Sequence, residues 1–244
     1  MCTVTLFPVN SSDFILTSNR DETPKRKTIP PKLYTENKTN MLFPKDELAG
    51  GTWIGLSEKK RLICLLNGGY EKHVRKDSYR LSRGVVVKEL LASEDAVSMI
   101  ENYVFEDIEP FTIVLVDWNS NLQYYELVWT GQTKHFQQLS NTKPHIWSSA
   151  TLYDDEMKQL RKSWFKNWLN DTNDFSQESI LQFHKNDKLG SPDVSLKMKR
   201  PQVETVSVTS VKKNNNTISV LYHDFLSGKV HDYKNVTFNT MQTL

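Results

Sequence analysis

Apolar and polar residues divide this chain into short strand-like and helix-like stretches. Cys2 to Val9 is β-rich and ends at Asn10-Ser11-Ser12-Asp13, a cluster of turn formers. Phe14-Ile15-Leu16-Thr17 then resumes the apolar pattern, so residues 2–20 predict a hairpin. Thr52-Trp53-Ile54-Gly55-Leu56 and Leu62-Ile63-Cys64-Leu65-Leu66, joined through Glu58-Lys59-Lys60, predict a second. The nearly unbroken apolar return strand implies burial on both faces. Residues 24–49, rich in Pro, Lys and Asn with little periodicity, predict a long surface excursion.

Two helices follow in this reading. One covers about Ser82 to Leu91; the other starts at Ser93 as N-cap, with Glu94 and Asp95 in its first turn, and runs to about Tyr103. Phe111–Asp117 and Leu122–Trp129 predict a third hairpin around Asn119-Ser120-Asn121, and Ile146–Leu152 a short strand. Asp154–Leu169 is the clearest helix, with Met157, Leu160, Trp164 and Trp168 at helical spacing. A shorter helix follows Ser176, and Glu204 to Phe238 alternates like three strands. Strands, helices, strands, helices, strands is the order of two packed antiparallel sheets with helices outside. A doubly wound parallel fold is disfavoured, because strand and helix do not alternate singly and no Gly-rich phosphate loop follows the first strand. With no internal repeat and no linker, residues 1–244 are expected to form one domain.

Composition narrows the function classes. Hydrophobic residues make up 38% and charged residues 25%, a globular balance, and a net charge of +2 argues against nucleic acid as partner. Two cysteines, Cys2 and Cys64, leave neither a disulfide framework nor a multi-cysteine zinc site. The six histidines lack metal-ligand spacing, so neither metal nor cofactor is expected. No apolar run approaches the ~20 residues of a membrane helix. The N-terminus has neither the basic nor the long apolar region of a signal peptide, which implies a cytoplasmic protein.

Cys2 is the sharpest chemical signal. Removal of Met1 would give a cysteine with a free α-amine, which titrates near ~8 and can accept the proton of the neighbouring thiol. The alternative is an accidental cysteine at a chain end. With Val9 and Phe14 flanking the first turn, Cys2 is expected opposite Asp21 and Thr3 opposite Arg20. The carboxylate could then hold the amine, and the arginine could lower the thiol pKa or bind a substrate carboxylate. A one-residue slip would reverse the faces. In the second hairpin, Ser57 opposite Leu62 would put Thr52 across from Asn67 and gather Gly50-Gly51 with Asn67-Gly68-Gly69. Glycines there admit a ligand to the backbone, and the Asn67 amide could donate to an oxyanion; two ordinary sheet turns would look the same. Asn19, Thr52, Trp53, Gly68, Ser148 and Ser149 complete the candidate substrate-binding set. Cys64 is expected to be an inert core thiol.

The Met-Cys-Thr start, Asn19-Arg20-Asp21-Glu22, Gly50-Gly51-Thr52-Trp53-Ile54-Gly55 and Asn67-Gly68-Gly69 together resemble the NRDE family, also called the transport and Golgi organisation protein 2 family. Ser82-Arg83-Gly84 and Ser148-Ser149-Ala150-Thr151-Leu152-Tyr153 look like its bacterial branch. The resemblance implies an α+β fold: a four-layer αββα sandwich of N-terminal nucleophile hydrolase type, with mainly antiparallel sheets. It implies Cys2 as nucleophile, Arg20 and Asp21 flanking it, and Asn67 as oxyanion donor, acting on a small-molecule amide. The related amidases also use a mid-chain asparagine and a late arginine. Here those segments read Ser148-Ser149 and Thr205-Val206-Ser207, with Lys197 and Arg200 nearby. For eukaryotic members the resemblance implies the alternative of a non-catalytic protein binding haem or another apolar ligand.

Overall fold

A computed structural model describes residues 3–238. Cys2, the expected nucleophile, lies outside the described residues.

The first hairpin joins β1 (Thr3–Pro8) to β2 (Phe14–Glu22). Its register is one residue from the expectation: Thr3 faces Asn19 and Pro8 faces Phe14. The turn explains the slip. Val9 N–H donates to the Asp13 carbonyl, and Asn10 Oδ1 accepts from the backbone of Ser12 and Asp13. Val9 therefore matches Asp13, and the Asx turn absorbs only Asn10 to Ser12.

β3 (Thr28–Glu36) and β4 (Thr39–Asp46) replace the expected surface excursion with a hairpin. Asn37 and Lys38, both at positive φ, form its two-residue turn. Met41, Leu42 and Phe43 of β4 are buried, so three consecutive apolar residues carried the signal that prolines and lysines obscured. β5 (Ile54–Ser57) and β6 (Arg61–Asn67) form the next hairpin, with Ser57 opposite Arg61 instead of Leu62. Lys60 takes positive φ and closes a three-residue loop. β5 begins at Ile54, so Thr52 lies outside the strand, and Asn67 pairs with Phe111.

Helix α1 (Arg83–Ala92) precedes α2 (Ala96–Asn102), whose N-cap is Asp95 and not Ser93. The Asp95 carboxylate accepts from the backbone of Val97 and Ser98, a stronger cap than the Ser93 hydroxyl, which turns back to the Leu90 carbonyl. Strands β7 (Phe111–Asp117), β8 (Gln123–Trp129) and β9 (Lys134–Leu139) follow. β9, unanticipated, is an edge strand carrying mostly polar side chains. Next come β10 (His145–Ser148), α3 (Asp155–Asp171), capped by Asp154, and α4 (Gln177–His184), capped by Ser176. β11 (Glu204–Asn214), β12 (Thr217–Asp224) and β13 (Val230–Tyr233) are the three late strands.

The strands form two antiparallel sheets, ordered β10-β1-β2-β11-β12-β13 and β3-β4-β5-β6-β7-β8-β9. Helices α3 and α4 cover the first sheet, and α1, followed by α2, covers the second. This is the four-layer αββα sandwich. Along β1 and β2 the side chains alternate between layers. Val4, Leu6, Phe14 and Leu16 enter the main core, while Phe7 and Ile15 join Phe165, Ile180 and Phe183 under the outer helices. Cys64 is fully buried, and burial pushes its thiol up to about 12. No helix of the described residues is long and apolar enough to cross a membrane.

Candidate functional site

The same strand parity sorts the Asn19-Arg20-Asp21-Glu22 run to opposite faces of the first sheet. Asn19 reaches α4 and Asp21 reaches Tyr153 on the outer side, while Arg20 points toward the second sheet.

Asn19 is fully buried. Its amide donates to the carbonyls of His184 (3.0 Å) and Leu196 (2.8 Å), which identifies Oδ1 as the acceptor facing His184 Nδ1 at 3.2 Å. His184 Nε2 lies 2.8 Å from the Thr5 hydroxyl. Asn19 therefore ties β2 to the end of α4, and its polar atoms are committed to that role.

Asp21 is 2% exposed. Its carboxylate accepts from the Tyr153 hydroxyl at 2.7 Å and from Thr205 Oγ1 at 2.6 Å. Thr205 is also its cross-strand partner on β11. The fully buried Arg161 stacks 3.6 Å over the Tyr153 ring, donates to the carbonyls of Val194 and Ser195, and donates to Thr3 Oγ1. Arg200 approaches the same ring at 5.2 Å and holds the Leu152 carbonyl. The start of β1 is thus gripped by an arginine, and Asp21 is fixed beside it by two hydroxyl donors.

Arg20 is 2% exposed and forms an ion pair with Asp46 at 2.8 Å. Asp46 also holds Arg26 at 2.7 Å, and Arg26 reaches Glu22 at 3.4 Å. The Arg20 guanidinium lies 4.3 Å over the Trp53 ring and donates to Thr28 Oγ1. Burial pulls its pKa down while Asp46 opposes the shift, and an arginine keeps its proton throughout. Arg20, Trp53, Thr52 and Asn67 share the lining of one cavity of about 240 Å³. Residues of both hairpins thus meet at this cavity, and the pairing expected of Thr52 with Asn67 does not form. The Thr52 hydroxyl is spent on the Pro44 and Ile54 carbonyls, so it shapes the wall.

Asn67 accepts on its carbonyl from Ser149 Oγ at 2.8 Å. Gly68, at φ +85°, lies so close to Ala150 and Thr151 that a Cβ would meet them at 3.1 Å. Ser149 is buried in this seam; Ser148 faces Thr3 across β10 and β1 and lines a separate cavity with Trp147 and Lys158. No sequence motif marks Arg161 or Asp46. Arg161 sits at helical spacing from Met157, Trp164 and Phe165, a polar position on an otherwise inward stripe, and that was the available signal. Leu160, expected on that stripe, is instead 41% exposed. Asp46 ends β4, inside the segment whose composition predicts a surface excursion.

A family model described as "Transport and Golgi organisation 2" matches residues 1–235. The chain belongs to that family. Among curated proteins, no sequence match to this family member is found. Solved structures do share its fold. A variant of the conjugated bile acid hydrolase from Clostridium perfringens superposes with TM-score 0.54 at 11% identity, covering 96% of this chain and 92% of that one. The Caenorhabditis elegans orthologue of N-acylethanolamine-hydrolyzing acid amidase superposes with TM-score 0.54 at 13% identity, covering 86% and 92%. At such identities the likeness carries the fold alone: the chain shares the αββα sandwich of these structures.

Proposed function

We propose that the protein is an N-terminal cysteine amidohydrolase acting on a non-peptide amide. In this reading Met1 is removed, and the α-amine of Cys2 takes the proton of its own thiol. The thiolate attacks the amide carbonyl and forms a tetrahedral oxyanion, toward which the Asn67 side chain donates. Collapse expels the amine with the transferred proton and leaves a thioester on Cys2. Water then attacks that thioester, releases the acid and restores the thiol.

The observation that carries this reading is the buried Asp21–Tyr153–Thr205 cluster beside Thr3, the residue that follows Cys2. A carboxylate 2% exposed, fixed by two hydroxyl donors near a strand start that Arg161 anchors, is a positioned negative charge against which an N-terminal amine can be oriented. The names of the two fold neighbours, hydrolases of conjugated bile acids and of N-acylethanolamines, support amide cleavage as the reaction class.

The test is intact mass spectrometry after treatment with an electrophilic β-lactone. Loss of Met1 and one adduct on Cys2 are expected, with neither adduct nor amide hydrolysis in Cys2→Ala or in a chain that retains Met1. Full hydrolysis by either variant would overturn the reading. A spectroscopic haem titration of the same samples tests the binding alternative.

A further inference from the structure

The Arg20 cavity is charged in a way that amide cleavage does not require. Four guanidiniums line it, from Arg20, Arg26, Arg75 and Arg83, against three carboxylates, from Glu22, Asp46 and Glu109. Asp46 and Glu22 are taken up by Arg20 and Arg26, and Glu109 pairs with Arg83 at 3.1 Å. Arg75 has no ion-pair partner among the described residues and is exposed at the lining. One positive charge is therefore left over, and it belongs to Arg75.

Two further features of the lining present hydrogen-bond donors. Trp53 is 4% exposed, and its Nε1 has no partner among the described residues. A buried indole N–H left unmatched is costly unless something supplies an acceptor. The ten-residue helix α1 also begins here: Ser82, Arg83 and Gly84 line the cavity, and the Ser82 side chain makes no cap hydrogen bond. Its first N–H groups and positive dipole end thus add to the same field. A volume of about 240 Å³ holds roughly eight water-sized volumes, enough for an acid group and a few carbons.

We propose that this cavity binds the acidic end of a small molecule, a carboxylate or a phosphate, and that Arg75 selects for that acid. The inference deepens the amidohydrolase reading by naming a substrate class, and it rests on that reading for the bond that is cut. Asn67 stands on the lining of this cavity, which would place the amide at its wall and the acid among the arginines. The binding of the acid itself needs no reaction.

Calorimetry on the unreactive Cys2→Ala protein separates the two. The probes are N-hexanoylglycine, N-hexanoyl-phosphoethanolamine and the neutral N-hexanoylglycinamide. At least one acid is expected to bind about tenfold more tightly than the neutral amide, with the preference weakening as salt is raised. Comparing the two acids tells whether carboxylate or phosphate is preferred. Adding Arg75→Ala is expected to bring acid and neutral probe to within about twofold without moving the melting temperature, because Arg75 is exposed and anchors nothing. Arg75→Lys should retain part of the preference. Equal binding of the neutral probe, an acid preference that survives Arg75→Ala, or no binding of either acid at about 10 mM would overturn the proposal. Acid binding that persists while the Cys2 protein forms no adduct would overturn the reaction and leave the acid site standing.

Discussion

Acidification should destabilise this protein through His184. The ring is fully buried between Thr5 and Asn19, and burial, with the Arg161 charge added, pushes its pKa down to about 3. The hydrogen bonds show why. Asn19 uses its amide N–H groups on two carbonyls, so its oxygen must accept the proton of His184 Nδ1. Nε2 is then the acceptor for the Thr5 hydroxyl. A second proton on Nε2 would face a hydroxyl that must turn away, in a site with no water-like dielectric.

The sign follows from which state binds more protons. An unfolded histidine titrates near ~6.5, so between ~6.5 and about 3 the unfolded chain holds a proton that the native state refuses. Stability is intact above ~6.5 and is lost as the pH falls. At ~1.36 kcal/mol per pH unit, going to pH 4.5 costs about 2–3 kcal/mol from this residue alone, a large share of a typical ~5–15 kcal/mol. Carboxylates also titrate there, so the contribution must be isolated. Urea unfolding of the protein and of His184→Gln, each at pH 7.5 and pH 4.5, does this. The variant is expected to be ~1–3 kcal/mol weaker at pH 7.5, because it breaks the Thr5–Asn19 relay. It should lose about 2–3 kcal/mol less on acidification. If both proteins lose the same amount between the two pH values, the argument for a neutral, proton-refusing His184 is wrong.

Three other outcomes follow from packing. Gly84→Ala would drive a Cβ to within 2.9 Å of the Thr52 backbone nitrogen and 3.0 Å of Gly51 Cα, so a loss of ~1–3 kcal/mol is expected in thermal melts. An unchanged melting temperature would refute that contact. Arg161→Met removes a buried charge together with its grip on Thr3, and should cost about 3 kcal/mol in urea midpoint analysis by stranding the Val194 and Ser195 carbonyls. A midpoint within error of the parent would sink the claim that this arginine anchors β1. Cys64, with its thiol pushed up to about 12, should resist iodoacetamide at pH 8 in the native state and react only on unfolding. Rapid native labelling, mapped by peptide mass, would contradict its burial.

Most strands and helices were legible because each has its own period. The Phe111–Asp117 and Leu122–Trp129 pair and the capped Asp154 helix could be read from local pattern alone. Register was harder to read. A single Asx turn at Asn10 and a single positive φ at Lys60 each moved a hairpin by one residue, and a composition-based turn assignment does not resolve either. β3 and β4 were missed because prolines and lysines on an edge strand are what a sheet uses to avoid pairing with other chains. Read as composition, the same residues look like a loop.

The candidate site shows a deeper reason why linear motifs mislead. Asn19, Arg20, Asp21 and Glu22 are contiguous and look like one catalytic patch, yet a strand sends neighbours to opposite faces. Asn19 and Asp21 belong to an outer network closed by His184, Tyr153 and Thr205, residues at least 132 positions away. Arg20 and Glu22 belong to the inner cavity with Trp53 and Asp46. The run can therefore do two jobs at once, holding the start of β1 on one side and charging a ligand cavity on the other. Replacing Asp21 should disturb the outer network with little effect on acid binding in the cavity, and replacing Arg20 should do the reverse.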